Sequence, residues 1–335
     1  MAIRFSVLLS SRIRGKAGIA VLLIAGGVRP VSAAEFLNMA ASPATLNLTA
    51  NDPDGASASV ATTITFTAKS SDPGGWTLYV AEDGATLSGC PRVPASALRV
   101  QCISGTVAGG NGGTVSCGGN SPMSTADTAT AIGTYPGSSG SGSGERDYTL
   151  NLTISFTDSW RYPAVSTPCS PRLTWKVIGD AGSTLKTQTA LVTINSLAKV
   201  SVSGATVLSR TGAAFSNYTG QTLINYRART GPSTTAQLTV VAMSEFAPAN
   251  GPTIPDLSFI CSGASYGIGC GTTQSVSTNA SRTVLTVPNN GCTGGGAPCS
   301  NTDPASVQTN FTLTNKPGYK TGSYSAQLTF TITTL

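Results

Sequence analysis

Three kinds of residue pairing in this sequence have the makings of a reactive site. Ser183-Thr-Leu-Lys186 and Ser196-Leu-Ala-Lys199 both carry the spacing in which a lysine amine activates a serine hydroxyl. That chemistry needs the pair on one helical face, and neither run sits in a helical pattern, so both read as strand or turn residues. Glu145 with Asp147, and Glu82 with Asp83, are paired carboxylates of the sort a glycosidase uses. Retaining hydrolysis would require two carboxyls held about 5–5.5 Å apart. The first pair borders a Gly/Ser run and the second precedes Gly84, so both read as solvated turn acids. Asn51-Asp-Pro-Asp-Gly55 has the flavour of a calcium loop, but the further ligands and closing acid of such a loop are missing. An Asp/Gly turn is the plainer reading.

The chain contains no histidine. That excludes Ser-His-Asp and Cys-His catalysis and every His-ligated metal. No catalytic residue, metal site or cofactor is expected, and the chain does not read as an enzyme.

Three tryptophans remain. Trp76 and Trp175 share the phase of apolar strand neighbours and read as core. Trp160-Arg-Tyr-Pro163 lies in a loop, where an aromatic pair and a cation stand together. Two readings stay open: Trp160, Arg161 and Tyr162 contact a ligand, or the loop packs on the edge of the fold, as large aromatics usually bury most of their area.

The elements that must position these residues follow a period of two. Tyr148, Leu150, Leu152, Ile154 and Phe156 alternate with Thr149, Asn151, Thr153 and Ser155. Ile64, Phe66 and Ala68 repeat the pattern, as do Leu238, Val240 and Ala242, and Leu328, Phe330 and Ile332. One apolar and one polar face is the signature of a half-buried antiparallel strand. Turn signals separate the runs, at Ser71-Asp-Pro-Gly-Gly75 and Arg229-Thr-Gly-Pro-Ser233. Gly133 to Gly144 is a Gly/Ser-rich surface loop in composition.

The pattern occurs twice. Ala97-Leu-Arg-Val-Gln-Cys102 answers Pro255-Asp-Leu-Ser-Phe-Ile-Cys261, and Arg172-Leu-Thr-Trp-Lys-Val177 answers Gln327-Leu-Thr-Phe-Thr-Ile332. The fold expected is all-β: two tandem immunoglobulin-like antiparallel sandwiches, disulfide-bonded, over 34–197 and 198–335.

Residues 1–33 read as a secretory signal peptide of the Sec type, with Arg4, Arg12, Arg14 and Lys16 ahead of an apolar run and cleavage near Ala33. Five of the 20 basic residues precede residue 34 and all 14 acids follow it, leaving a net +1 on the remainder. That removes the basic face a nucleic-acid partner would need. No later stretch is apolar for long enough to span a bilayer as a helix. Export together with eight cysteines, four in each half, argues for disulfides. The repeat pairs Cys102 with Cys117 and Cys261 with Cys270. Cys292 and Cys299 flank a Gly-rich turn and join locally, which leaves Cys90 for Cys169.

Gly75-Trp76-Thr77-Leu78 and Leu173-Thr174-Trp175-Lys176-Val177 resemble the two motifs of the WxL cell-surface domain, with Val177 where the family has Leu. The resemblance covers roughly residues 59 to 177. It implies a secreted protein held non-covalently at a bacterial cell wall.

These features together lead to a non-catalytic, secreted or surface-associated protein with a structural or adhesive role. Its partners would be cell-wall or surface polysaccharide or other envelope proteins. Two alternatives are a pilin-like subunit that assembles by strand exchange and a carbohydrate-binding module.

Overall fold

The computed structural model describes residues 36–69, 75–109, 113–128, 130–137, 145–179, 182–269, 271–294 and 303–335. The expected signal peptide and most of the Gly/Ser run at 133–144 lie outside the described residues.

The described residues form strands, with two single 3-10 turns and no α-helix. The strands of the first half are β1 (Phe36–Ser42), β2 (Thr45–Ala50), β3 (Ala58–Lys69), β4 (Trp76–Glu82), β5 (Leu98–Ala108) and β6 (Ser116–Cys117). They continue with β7 (Ser121–Pro122), β8 (Thr130–Tyr135), β9 (Glu145–Phe156), β10 (Arg172–Gly179) and β11 (Gly182–Ile194). The second half holds β12 (Leu197–Val202), β13 (Tyr218–Arg229), β14 (Ala236–Ala242), β15 (Leu257–Ser262) and β16 (Ile268–Gly269). It ends with β17 (Gln274–Ser275), β18 (Arg282–Val287), β19 (Ala305–Leu313) and β20 (Leu328–Thr334).

Four sheets result. In the first half β1-β3-β9-β5-β7 faces β2-β11-β10-β4-β8-β6, and in the second β12-β13-β19-β15-β17 faces β16-β18-β14-β20. Every pairing is antiparallel except that of β2 with β11. Each half encloses its own apolar core, one drawn from residues 46–194 and the other from residues 224–313. The chain passes between the two sandwiches after Ile194, and Leu197 already belongs to the second.

The alternation explains the packing. Tyr148, Leu150, Leu152, Ile154 and Phe156 of β9 all point into the first core. Ile64 and Phe66 of β3 face them, and Ile224 and Tyr226 of β13 repeat that pair in the second core. Burial of such side chains contributes roughly 1.5–3 kcal/mol each. Trp76 and Trp175 are core residues too; the Trp175 ring is wholly enclosed, and its Nε1 donates to Gln188 Oε1 at 2.9 Å. At the far end from the junction, Phe36, Phe66, Trp76, Tyr135 and Tyr148 form one aromatic cluster.

Disulfides join Cys90 to Cys169 and Cys102 to Cys117. Cys261 and Cys292 are also disulfide-bonded, and the residues expected to pair with them, Cys270 and Cys299, lie outside the described residues.

The sandwiches meet through a polar junction centred on Arg229, which is completely buried. Its Nε donates to Asn195 O at 2.7 Å, Nη1 to Asp158 Oδ1 at 2.5 Å and Nη2 to Ala50 O at 3.0 Å. Around it Lys199 Nζ donates to Asp52 at 2.7 Å and to Asp54 at 2.9 Å. Arg227 Nη1 donates to Asp54 Oδ1 at 3.2 Å. The hydrogen bonds from Lys199 hold the carboxyls of Asp52 and Asp54 below the ordinary aspartate range.

Candidate functional site

The residues singled out for chemistry do not converge. Ser183 and Lys186 lie on β11 opposite Ile178 and Trp175, three residues apart on a strand and so on opposite faces. Ser196 Oγ bonds Thr234 Oγ1 at 3.0 Å, while Lys199 is held in its two ion pairs. The hydrogen bonds it donates to Asp52 and Asp54 raise the Lys199 amine above its usual value, the wrong direction for a base. Asp52 and Asp54 hold Lys199 where a calcium loop would hold metal. Among the described residues no cluster of three His, Cys, Asp or Glu side chains could hold a metal ion.

One expectation needs correction. Glu82 is not a solvated turn acid: it ends β4 on the phase of Leu78 and Val80, points inward and is 1% exposed. Burial pushes its carboxyl up to about 7. Of the two readings left open at Trp160, its burial fits the packed one. It is 4% exposed, donates from Nε1 to Asp54 Oδ1 at 3.0 Å and carries Lys199 Nζ 5.7 Å above its ring. The tryptophan anchors the junction, Tyr162 packs against Phe156, and Gly294 of the second sandwich closes on Arg161, where a Cβ would come within 2.5 Å.

The candidate site is a difference between the two halves. Strand for strand, β1, β3, β9, β5 and β7 correspond to β12, β13, β19, β15 and β17, and β6, β8, β4 and β10 to β16, β18, β14 and β20. Register agrees as well. Leu173, Trp175 and Val177 pair with Glu82, Val80 and Leu78. Leu328, Phe330 and Ile332 pair with Ala242, Val240 and Leu238. Beyond β10, however, lie β11 and β2, whereas beyond β20 the described residues supply no strand.

That missing neighbour changes the environment of identical positions. Leu173, Trp175 and Val177 are fully buried; β11 runs beside them with Gln188, Lys186 and Thr184 opposite, and its Ala190, Val192 and Ile194 join the same core past the start of β10. Leu328, Phe330 and Ile332 are only partly buried. Across from them Ala198 and Val200 of β12, together with Leu208, form the other wall, and Tyr218, Phe246 and Ala326 are likewise half-covered. The polar partners differ in the same way. In the first sandwich Gln188 of β11 donates to Thr62 Oγ1 at 2.9 Å; the matching Thr222 instead bonds Thr206 of its own half. The result is an apolar groove bordered by one open strand edge.

An open edge presents unpaired backbone N–H and C=O groups, a ready template for another strand. Such an edge has the means to take main-chain hydrogen bonds along β20 and apolar side chains at alternate positions.

No protein-family model matches the chain, and no curated protein does. Among solved structures it is similar to the chaperone–tip adhesion subunit pre-assembly complex from the archaic chaperone-usher Csu pili of Acinetobacter baumannii. That likeness has 10% identity and a TM-score of 0.39, over 88% of this chain and 99% of the other. A chaperone–tip adhesin complex of CFA/I fimbriae gives 11% identity and a TM-score of 0.35, over 88% and 98%. The C-terminal domain of the Streptococcus agalactiae BspA polypeptide gives 8% and 0.18, over 82% and 90%.

Proposed function

We propose that the chain is a secreted or cell-surface subunit whose second sandwich takes up an extended strand from another polypeptide, in a structural and adhesive assembly without catalysis. The observation that carries this reading is the contrast between Trp175, enclosed beneath β11, and Phe330, half-covered at the matching position of an open edge. The occupant is a strand with apolar residues at every second position, as β11 has in Ala190, Val192 and Ile194. Phe36–Ser42 is not such a donor, since it pairs with β3 inside the first sandwich. The disulfides fit an oxidising compartment outside the cytoplasm.

The test is a chain in which residues 180–194, the segment from the end of β10 to the end of β11, are repeated after Leu335. In the register of the first sandwich Ala190 of the repeat comes beside Ala326, with Val192 and Ile194 beyond it; the last two contribute roughly 1.5–3 kcal/mol each, and Ala190 less, before the entropy of ordering the strand is subtracted. A rise of about 10 °C in the melting of the second sandwich is expected. A control extension with serine at the three inward positions should leave melting unchanged. Equal melting of both extensions and the parent chain would refute the proposal.

A further inference from the structure

The outer face of the first five-stranded sheet is mostly polar, with Ile103 exposed on β5, and its two ends differ. Toward the aromatic cluster the side chains satisfy one another. Thr63 Oγ1 donates to Asn151 Oδ1, Asn151 Nδ2 to Ser104 Oγ, and Thr67 Oγ1 to Asp147 Oδ1. Toward the junction the surface hollows into a concavity of about 560 Å³ lined by Ser57, Ser59, Thr153, Ser155, Thr157, Gln101, Arg99 and Asn120.

Register builds this hollow. Ser155 of β9 lies between Ser59 of β3 and Arg99 of β5, and Thr153 lies beside Gln101. The floor is therefore a patch of hydroxyls, and one wall is a guanidinium. Asn120 orients that wall, accepting from Arg99 Nε at 3.1 Å through Oδ1 and from Nη2 at 2.7 Å through its backbone carbonyl. The loop carrying Asn120 is itself tied to β5 by the disulfide between Cys117 and Cys102. No acidic and no aromatic side chain lines the hollow.

We infer that this hollow binds an acidic saccharide, with Arg99 taking the sugar's carboxylate or sulfate and the hydroxyl floor taking its ring hydroxyls. The volume falls in the range of small-ligand sites, roughly 300–1,000 Å³. A guanidinium held in place on one side offers its free edge to an anion in a fixed orientation. Closely spaced hydroxyls, each both donor and acceptor, match a polyhydroxylated ring. The absence of an aromatic from the lining makes the anion, and not ring stacking, the source of selectivity. The inference does not depend on strand uptake by the second sandwich, which lies on other residues.

The experiment is titration of the full oxidised chain with a tetramer of galacturonic acid, its methyl-esterified neutral counterpart and a sulfated tetrasaccharide. The acidic tetramer, the sulfated one or both should bind, at least tenfold more tightly than the neutral one, with affinity falling as salt rises. The two acidic arms show which anion the site prefers. Arg99→Gln should lower affinity about tenfold or more, and Asn120→Ala should do so to a smaller degree. Ser155→Val, which keeps the charge, should weaken acidic binding as well. Unchanged melting and near-ultraviolet circular dichroism would show that the variants fold. Failure of both acidic ligands to bind the parent chain would overturn the inference. Binding insensitive to both Arg99→Gln and Ser155→Val would overturn it equally.

Discussion

Replacing Arg229 with methionine tests how the two sandwiches are held together. The side chain is completely buried, and it ties three points of the first sandwich: Ala50 O at the end of β2, Asn195 O just past β11, and Asp158 Oδ1. Methionine preserves most of the volume but removes all three hydrogen bonds. It also strands Asp158, whose side chain is 6% exposed and whose Oδ2 already lacks a partner. Leaving one member of a buried ion pair uncompensated costs about 3–5 kcal/mol, equivalent to roughly 10 °C in melting for a sandwich of this size. Urea denaturation at neutral pH reads the loss directly. Each sandwich has its own core, so the weakened junction should also split one transition into two. Adding Asp158→Asn removes the stranded charge, and the double variant should recover about 2 kcal/mol. Lys199→Met is the control at the same junction. Its partners Asp52 and Asp54 are about two-fifths exposed, so that loss should stay below about 1 kcal/mol and shrink with salt. A loss under about 1 kcal/mol for Arg229→Met, or no recovery in the double variant, would refute this account of the junction.

Two further outcomes follow from the cores. Trp175→Ala should cost about 3–5 kcal/mol, whereas Phe330→Ala, at the matching but half-covered position, should cost less than half as much by the same urea assay. Glu82 should give the protein a pH dependence of a recognisable sign. Burial pushes its folded-state carboxyl up to about 7, above the ordinary glutamate value. The native state thus keeps a proton that the unfolded chain has lost, and stability falls by up to about 3 kcal/mol as pH rises from about 4.5 to about 7, then levels. Glu82→Gln should flatten that part of the profile; an unchanged slope would contradict it.

The elements were legible because alternation is local. Tyr148 to Phe156 and Leu328 to Ile332 show their faces within a few residues, and the repeat of Arg172–Val177 in Gln327–Ile332 is visible by inspection. The groove was not legible, for the two strands read alike; what separates them is a neighbour. In the first sandwich that neighbour, β11, is the next strand in sequence, but β2 reaches it only by a parallel pairing across more than a hundred residues. Arg229 was hidden for a similar reason: all its partners belong to the other sandwich. Trp160 gave a true signal of an aromatic in a loop, and only the second sandwich shows that the loop is covered. Glu82 was readable in principle. Its phase with Leu78 and Val80 marked it as inward, and the adjacent Asp83 and Gly84 disguised it as a turn.

The state of β20 tests the central claim most directly, through hydrogen exchange of its amides in the full oxidised chain. In the free protein the alternate amides of Leu328–Thr334 that point away from β14 should exchange on the order of a hundredfold faster than those of β10 that face β11. A peptide with the sequence of residues 187–194 should slow them. Equal protection of the two strands without any peptide would mean that the position beside β20 is already filled, and the account would be wrong.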